Sequence, residues 1–232
     1  MELSIIVPAH NEEDNIAQVI RAIESTVAVS HELIIINDHS TDRTAAIVSE
    51  LMSQYSNLRL IDNPLEGGFA NAIRTGLTSI KTGLVVQVMA DLCDDLGTIN
   101  KMYEKINQGY DIVCGARYIS GGSRLGGSKL KGFLSSQAGK TLNFLLGIPT
   151  HDIANAFKMY RKKVIESVEI ESGGFEISME IPLKAHYLGF KITEVPTTWR
   201  ERTKGKSSFK IFKLLPAYLK LYFWAIYKRI IK

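Results

Sequence analysis

Cysteine is nearly absent: Cys93 and Cys114 are the two in 232 residues. They have neither metal-ligand spacing nor a disulfide framework, so a reducing compartment, the cytosol, is the expectation. Proline is sparse, at 6 residues, and no Pro-, Ser- or Gly-rich linker divides the chain. One large catalytic domain with a C-terminal appendage follows from that. No internal repeat and no low-complexity tract occurs. No apolar stretch is both long enough and charge-free enough to span a bilayer. The chain enters a strand without a basic or signal-like leader. Charge of one sign is not in large excess either, at a net +4. The basic residues concentrate in the C-terminal third among apolar ones, which disfavours nucleic-acid binding.

What is present is an alternation of strand-like and helix-like segments through the first half, the pattern of a mostly parallel sheet flanked by helices. Strands are predicted near 3–8, 32–37, 58–62, 84–89 and 110–115, with helices near 12–27, 42–55, 68–80 and 96–107. A Gly-rich stretch, 119–127, then reads as the longest mobile loop, followed by a helix near 131–146. A short strand at 157–160, a helix at 178–188 and a strand at 190–195 complete the core pattern.

Two strand ends carry the first functional signal. Leu3 to Ala9 runs into His10-Asn11-Glu12-Glu13, and Ile34-Ile35-Ile36 runs into Asn37-Asp38-His39-Ser40. Ligands of open α/β sheets bind at the carboxyl ends of strands. Amides and carboxylates there suit the base and ribose of a nucleotide, and no Gly-rich phosphate cradle follows either strand. Glu13 and Asp42 fit equally well as acids favouring helix N-termini. After the third strand, Gly67 and Gly68 open a helix whose N–H groups can face an anion, with Arg74 on its next turn. Gly76 reads as close helix–sheet packing. The fourth strand ends in Met89-Ala90-Asp91-Leu92-Cys93-Asp94-Asp95. A hard divalent cation takes one or two carboxylates plus substrate phosphates, so Asp91 and Asp94 are the metal candidates. Capping the following helix is the competing role of Asp94 and Asp95.

These segments resemble glycosyltransferase family 2, the inverting enzymes that use nucleotide-diphosphate sugars, and within it the polyprenyl-phosphate, dolichol-phosphate mannosyltransferase-like branch. The resemblance runs to about Lys210. It implies a glycosyltransferase A-type (nucleotide-diphospho-sugar transferase) α/β fold over 1–210, with 211–232 as an amphipathic helical segment. The donor would bind at Pro8, His10, Asn11, Glu12 and Asp38, beside Gly68 and Arg74. A divalent cation, Mg²⁺ or Mn²⁺, would be held by Asp91. The family usually has Asp-x-Asp where this chain has Met89-Ala90-Asp91, so one carboxylate is missing and Asp94 is the substitute. Arg117, at the end of the fifth strand, would lie near phosphate, and Arg124 on the Gly-rich loop, with Lys129 and Lys131, would grip the acceptor. Asp152 matches the family's acidic position near the reacting centre and is the one candidate base. Arg202 and Lys210 match a basic segment that closes over the diphosphate. Gly174-Phe175-Glu176 and Glu180 match a further family stretch, with a plain helix-surface acid the alternative for Glu180.

The implied function is sugar transfer to a polyprenyl phosphate at a membrane. A phosphate acceptor is already mostly dianionic at neutral pH, with a second pKa of about 6, and needs no strong base. Transfer to a hydroxyl of a polysaccharide or glycolipid, or nucleotide-sugar binding without turnover, are the alternatives. The segment from Ile211 to Ile231 supports the lipid reading. Lys213, Lys220 and Lys228 share one side of a helical wheel, with Leu215, Leu219, Tyr222, Phe223, Ile226 and Ile230 on the other. This fits peripheral attachment to the inner face of an anionic membrane, and packing on the protein's own core or on a partner subunit is the alternative. Pro216 is expected to break the segment into two helices.

Overall fold

The computed structural model describes residues 2–202 and 211–231, the side chain of Ile211 excepted. Nine strands form among the described residues: β1 (Leu3–Ala9), β2 (His31–Asn37), β3 (Leu58–Asp62), β4 (Leu84–Gln87), β5 (Ile112–Ala116), β6 (Ser123–Leu125), β7 (Lys158–Arg161), β8 (Ile192–Pro196) and β9 (Thr198–Arg200). The helices among the described residues are α1 (Ile16–Thr26), α2 (Thr44–Leu51), α3 (Phe69–Ser79), α4 (Thr98–Asn107), α5 (Lys129–Leu146), α6 (Lys162–Ser167), α7 (Ile177–Tyr187) and α8 (Ile211–Ile230).

The main sheet has the order β3-β2-β1-β4-β7-β5-β8. All its pairings are parallel except those of β7, which runs antiparallel between β4 and β5. β1 therefore sits between β2 and β4, where the strand order reverses, and the crevice opens at their carboxyl ends. The strands read as continuous apolar runs because both faces are covered. Leu3, Ile5 and Val7 point into one core with α1 and α4. Ile6, Ile34 and Ile36 point into the other, with α3 and α7. Gly76 sits where α3 crosses the sheet, and a Cβ there would meet the Ile6 side chain at 3.1 Å, the close packing expected of it.

Three expectations are corrected. The Gly-rich stretch is not a plain loop: Ser123–Leu125 forms β6 and pairs in parallel with β9 as a separate two-stranded sheet. Lys129 and Lys131 stand in the first turn of α5, whose Ser128 side chain accepts from the Lys131 N–H, so neither is on a loop. Pro216 does not break α8, which runs unbroken through it. The proline lies in the second turn, where its missing N–H removes one hydrogen bond and the long segment after it stays intact. α6 was not foreseen.

α8 lies against α5 and α7. Leu142, Leu146, Met179, Leu183 and Ala225 form a third core, with Tyr218, Leu221 and Tyr222 partly buried against it. The Tyr222 hydroxyl bonds Thr141 at 2.9 Å, and the Tyr187 hydroxyl donates to the Ala225 carbonyl at 2.5 Å.

Candidate active site

A cleft of about 1050 Å³ lies along the carboxyl ends of β1, β2, β4 and β5 and continues between α5 and α8. Its polar half holds His10, Glu12, Asp38, Asp91, Asp94, Arg117 and Arg202. Its far half is apolar, with Leu134, Ala138, Leu215, Tyr218 and Phe223. Arg124 and Lys131 line the same cleft.

The loops after β1 and β2 hold each other. His10 Nδ1 lies 2.6 Å from the Asp38 carbonyl, an acceptor only, so Nδ1 carries the proton and donates. Its Nε2 then accepts from Asn11 Nδ2 at 3.3 Å. Asn11 does not line the cleft. It takes a left-handed conformation, φ 53°, and its Oδ1 accepts from the Thr41 N–H at 2.8 Å, so it fixes one loop to the other. Asp38 lies on the cleft floor. Its carboxylate accepts from Asn63 Nδ2 at 2.8 Å and from the Gly68 N–H at 2.9 Å. Gly68 has φ 150°, a conformation side chains rarely adopt, which lets its N–H reach that carboxylate.

Asp91 follows β4. Its Oδ1 accepts from the Cys93 N–H at 3.1 Å and its Oδ2 pairs with Arg202 Nη2 at 2.7 Å. Arg202 Nη1 is also 3.8 Å from Glu12 Oε1. Burial raises the Glu12 carboxyl above the ordinary range, against the lowering pull of Asn15 and Arg202. Asp94 and Tyr118 each bring a buried, unpartnered oxygen to the cleft. In Asp94 it is Oδ1. Burial first, then the nearby Asp91 charge, pushes its carboxyl up to about 7. A buried carboxylate oxygen without a donor, beside a second carboxylate, fits a hard cation whose remaining ligands are phosphate and water. No cluster of three or more His, Cys, Asp or Glu able to hold a metal occurs among the described residues. Met89 lines the same cleft.

Arg117 and Asp152 form a forked pair. Nε and Nη2 donate to the two carboxylate oxygens at 2.7 and 2.8 Å, and the Arg117 backbone N–H adds a third bond at 2.9 Å. Asp152 is fully buried and does not line the cleft. Arg117 does, with Nη2 also 3.1 Å from Ser135 Oγ. Behind this pair, Lys158 is fully buried and donates to the carbonyls of Ile153, Asn155 and Ser178.

Arg74 stands outside the cleft. Its guanidinium donates to the carbonyls of Ile170 and Ser172 at 3.1 and 2.6 Å. Glu180 holds the same segment from the other side, accepting from the N–H groups of Glu171 and Ser172 and from Lys184. Together they present Phe175, which stacks on Phe69 at 4.3 Å on the cleft wall. Burial alone would raise the Glu180 carboxyl, but those three donors outweigh it and hold it low. Its stabilising contribution is therefore full above the ordinary glutamate pKa of about 4.3 and is lost as pH falls through the lower folded value. Urea midpoints should show Glu180→Gln costing about 1–3 kcal/mol at pH 7, with the gap to wild type narrowing at pH 3. An equal gap at both pH values would show that the charge plays no part.

Trp199 was missed by sequence reading. It pairs with Arg124 across β6 and β9, and the Arg124 guanidinium lies 4.9 Å from its ring centre. A three-residue strand gives too short a pattern to read. Lys210 lies outside the described residues.

This arrangement has relatives. Residues 4–169 match the model of "Glycosyl transferase family 2". The chain belongs to that family. It is 31% identical to a dolichol-phosphate mannosyltransferase of Pyrococcus furiosus, over 97% of this chain and 64% of that protein. It thus spans somewhat less than two thirds of that relative's length. It is 25% identical to a polyprenol monophosphomannose synthase of Mycolicibacterium smegmatis, over 97% of this chain and 88% of the relative. Among solved structures, glucosyl-3-phosphoglycerate synthase from Mycobacterium tuberculosis, in complex with Mn²⁺, UDP and glucosyl-3-phosphoglycerate, superposes with a TM-score of 0.69. That match covers 98% of this chain and 79% of the other at 20% identity, and it establishes the glycosyltransferase A-type fold.

Proposed function

We propose that this family 2 glycosyltransferase domain moves a sugar, with inversion, from a nucleotide-diphosphate sugar to a polyprenyl phosphate at a membrane surface. One observation carries the reading: a single cleft joins an acid-lined strand edge to apolar side chains of α5 and α8, with Arg124 and Lys131 in the same lining. The names of the relatives from Pyrococcus and Mycolicibacterium point the same way.

Pro8, His10, Glu12 and Asp38 hold the base and ribose. Asp91 and Asp94 hold Mg²⁺ or Mn²⁺, as the Mn²⁺ complex of the Mycobacterium synthase suggests. Such an ion supplies Lewis acidity to the diphosphate when bound. Arg117 and Arg202, with Lys210 beyond the described residues, neutralise charge on the leaving diphosphate. Arg124 and Lys131 receive the acceptor phosphate. Asp152 is assigned to orienting Arg117 rather than to base catalysis, because both its oxygens are engaged by that arginine. A phosphate acceptor requires no base there, which favours it over a hydroxyl acceptor. The test is transfer from a panel of radiolabelled nucleotide sugars to a short polyprenyl phosphate. Label entering the organic phase, and lost with EDTA, supports the assignment. No transfer with any common donor removes it.

The membrane half of the proposal rests on α5 and α8. Phe212, Leu219, Phe223, Tyr227 and Ile230 are exposed along one stripe of α8, and Phe133 and Phe144 are exposed on α5. Neither helix contains an acidic residue, while Lys129, Lys131, Lys140, Lys213, Lys220, Lys228 and Arg229 are basic. No helix among the described residues is long and apolar enough to cross a membrane. A basic, aromatic face of this kind suits the headgroup region of an anionic leaflet. Co-sedimentation with vesicles containing phosphatidylglycerol should be strong, and Phe223→Glu with Phe133→Glu should weaken it about tenfold or more. Equal sedimentation of the two forms would place the contact elsewhere.

A further inference from the structure

Arg202 sits where the proposed function needs a cation. Its Nη2 is 2.7 Å from Asp91 Oδ2, and its Nη1 3.8 Å from Glu12 Oε1. The other Asp91 oxygen already accepts the Cys93 N–H. All three charged side chains are mostly buried, with 19%, 12% and 16% exposure for Arg202, Asp91 and Glu12. A guanidinium stays charged at any ordinary pH, so it cannot yield by losing a proton. The backbone offers little movement either. The Arg200 N–H donates to the Cys93 carbonyl at 2.8 Å and the Asp95 N–H to the Thr198 carbonyl at 3.1 Å, which ties β9 to the Asp91 loop.

We propose that Arg202 is a built-in counter-ion for Asp91, which must swing off that carboxylate before a divalent cation is held there, so that cation and nucleoside diphosphate bind interdependently. The inference rests on the cation role given to Asp91 above. A cation and a guanidinium on one carboxylate repel each other across a few ångströms of partly desolvated space. A cation arriving alone leaves Arg202 without its principal carboxylate. A cation arriving with a diphosphate gives the displaced guanidinium a new anionic partner through its planar fork. Arg202 thus makes the site refuse a bare cation and accept the cation–diphosphate pair. It also offsets the charge of Asp91, and part of that of Glu12, while the site is empty.

The test uses Mn²⁺ binding followed by electron paramagnetic resonance, with no turnover. Wild type, Arg202→Gln, Arg202→Lys and Asp91→Asn are titrated alone, then with UDP and with GDP. Without nucleotide, Arg202→Gln should bind Mn²⁺ about tenfold more tightly than wild type, with Arg202→Lys between them. With the cognate nucleotide the advantage should vanish or reverse, because the variant lacks the fork that grips the diphosphate. Circular dichroism and an unchanged thermal midpoint identify the folded variants, and Arg202→Lys keeps the test open if the glutamine form fails. Equal or weaker Mn²⁺ binding by both Arg202 variants without nucleotide overturns the inference while leaving the cation site in place. If wild type binds no Mn²⁺ even with nucleotide, or Asp91→Asn binds it as well as wild type, the cation role itself fails and the inference with it.

Discussion

Replacing Asp152 by alanine should lower stability by about 3–5 kcal/mol, the usual result of leaving a buried charge without its partner. Asp152 has no exposed side chain and Arg117 keeps 11% of its own. Removing the carboxylate strands the guanidinium and also takes away the acceptor of the Arg117 backbone N–H. The loop carrying Asp152 would lose one link to the end of β5 and keep the bond from Asn155 Nδ2 to the Gly115 carbonyl. Urea unfolding measures the loss. Asp152→Asn should cost less, because an amide oxygen in the place of Oδ2 can still accept two of the three bonds. The double variant Arg117→Met with Asp152→Leu should be more stable than Asp152→Ala, since no buried charge is left unpaired. A loss below about 1 kcal/mol for Asp152→Ala would mean that the pair is solvent-relaxed and does not position Arg117.

Asp91→Asn should reduce kcat/KM for transfer by roughly 10²–10³-fold, the range found when one electrostatic contact to developing charge is deleted. Asparagine keeps the size of the side chain and an oxygen for the Cys93 N–H. It loses the charge that binds a cation and holds Arg202. The stability cost should be about 1–2 kcal/mol, below that of Asp152→Ala, because Asp91 and Arg202 keep 12% and 19% exposure where Asp152 has none. Loss of activity with an intact fold is the signature expected of this residue and is the opposite of that expected for Asp152→Ala. Added Mn²⁺ should recover part of the activity. A variant retaining more than a tenth of wild-type kcat/KM would shift the cation site to Asp94 or away from both.

The sequence-level account succeeds where local pattern and tertiary structure agree. β1 and β2 are covered on both faces, so they read as unbroken apolar runs. Their polar ends mark the cleft because a parallel sheet sends all its loops of one kind to one edge. Glu12, Asp38 and Asp91 line the cleft as their strand-end positions imply, and His10 and Arg117 as the family resemblance implies, while Asn11 and Asn37 do not line it. The failures have a common source in long-range contacts. Arg74 looked suited to an anion because it follows a glycine pair, yet its partners are the carbonyls of Ile170 and Ser172. Nothing near Arg74 in sequence announces that segment. β6 and β9 gain their pairing from each other, not from alternation within either. In α8 a wheel groups Tyr222 with Phe223 and Ile230. The structure sends Tyr222 toward α5 and leaves Phe223 and Ile230 outward. A wheel separates apolar from polar faces, but it does not separate an apolar face that meets protein from one that meets something else. Asp152 was found by position, and its geometry supplies the role that a motif alone did not.

The most direct measurement compares two acceptors that differ only at the head. Wild-type protein with Mn²⁺ and the donor it binds is offered a short polyprenyl phosphate or the corresponding polyprenol, and radiolabelled product is counted in the organic phase. Transfer to the phosphate and none to the alcohol is the result expected from a cleft with Arg124 and Lys131 in its lining and with the candidate base, Asp152, buried and engaged by Arg117. Transfer to the alcohol at a comparable rate would contradict the account and assign base catalysis to another carboxylate of the cleft, such as Asp94.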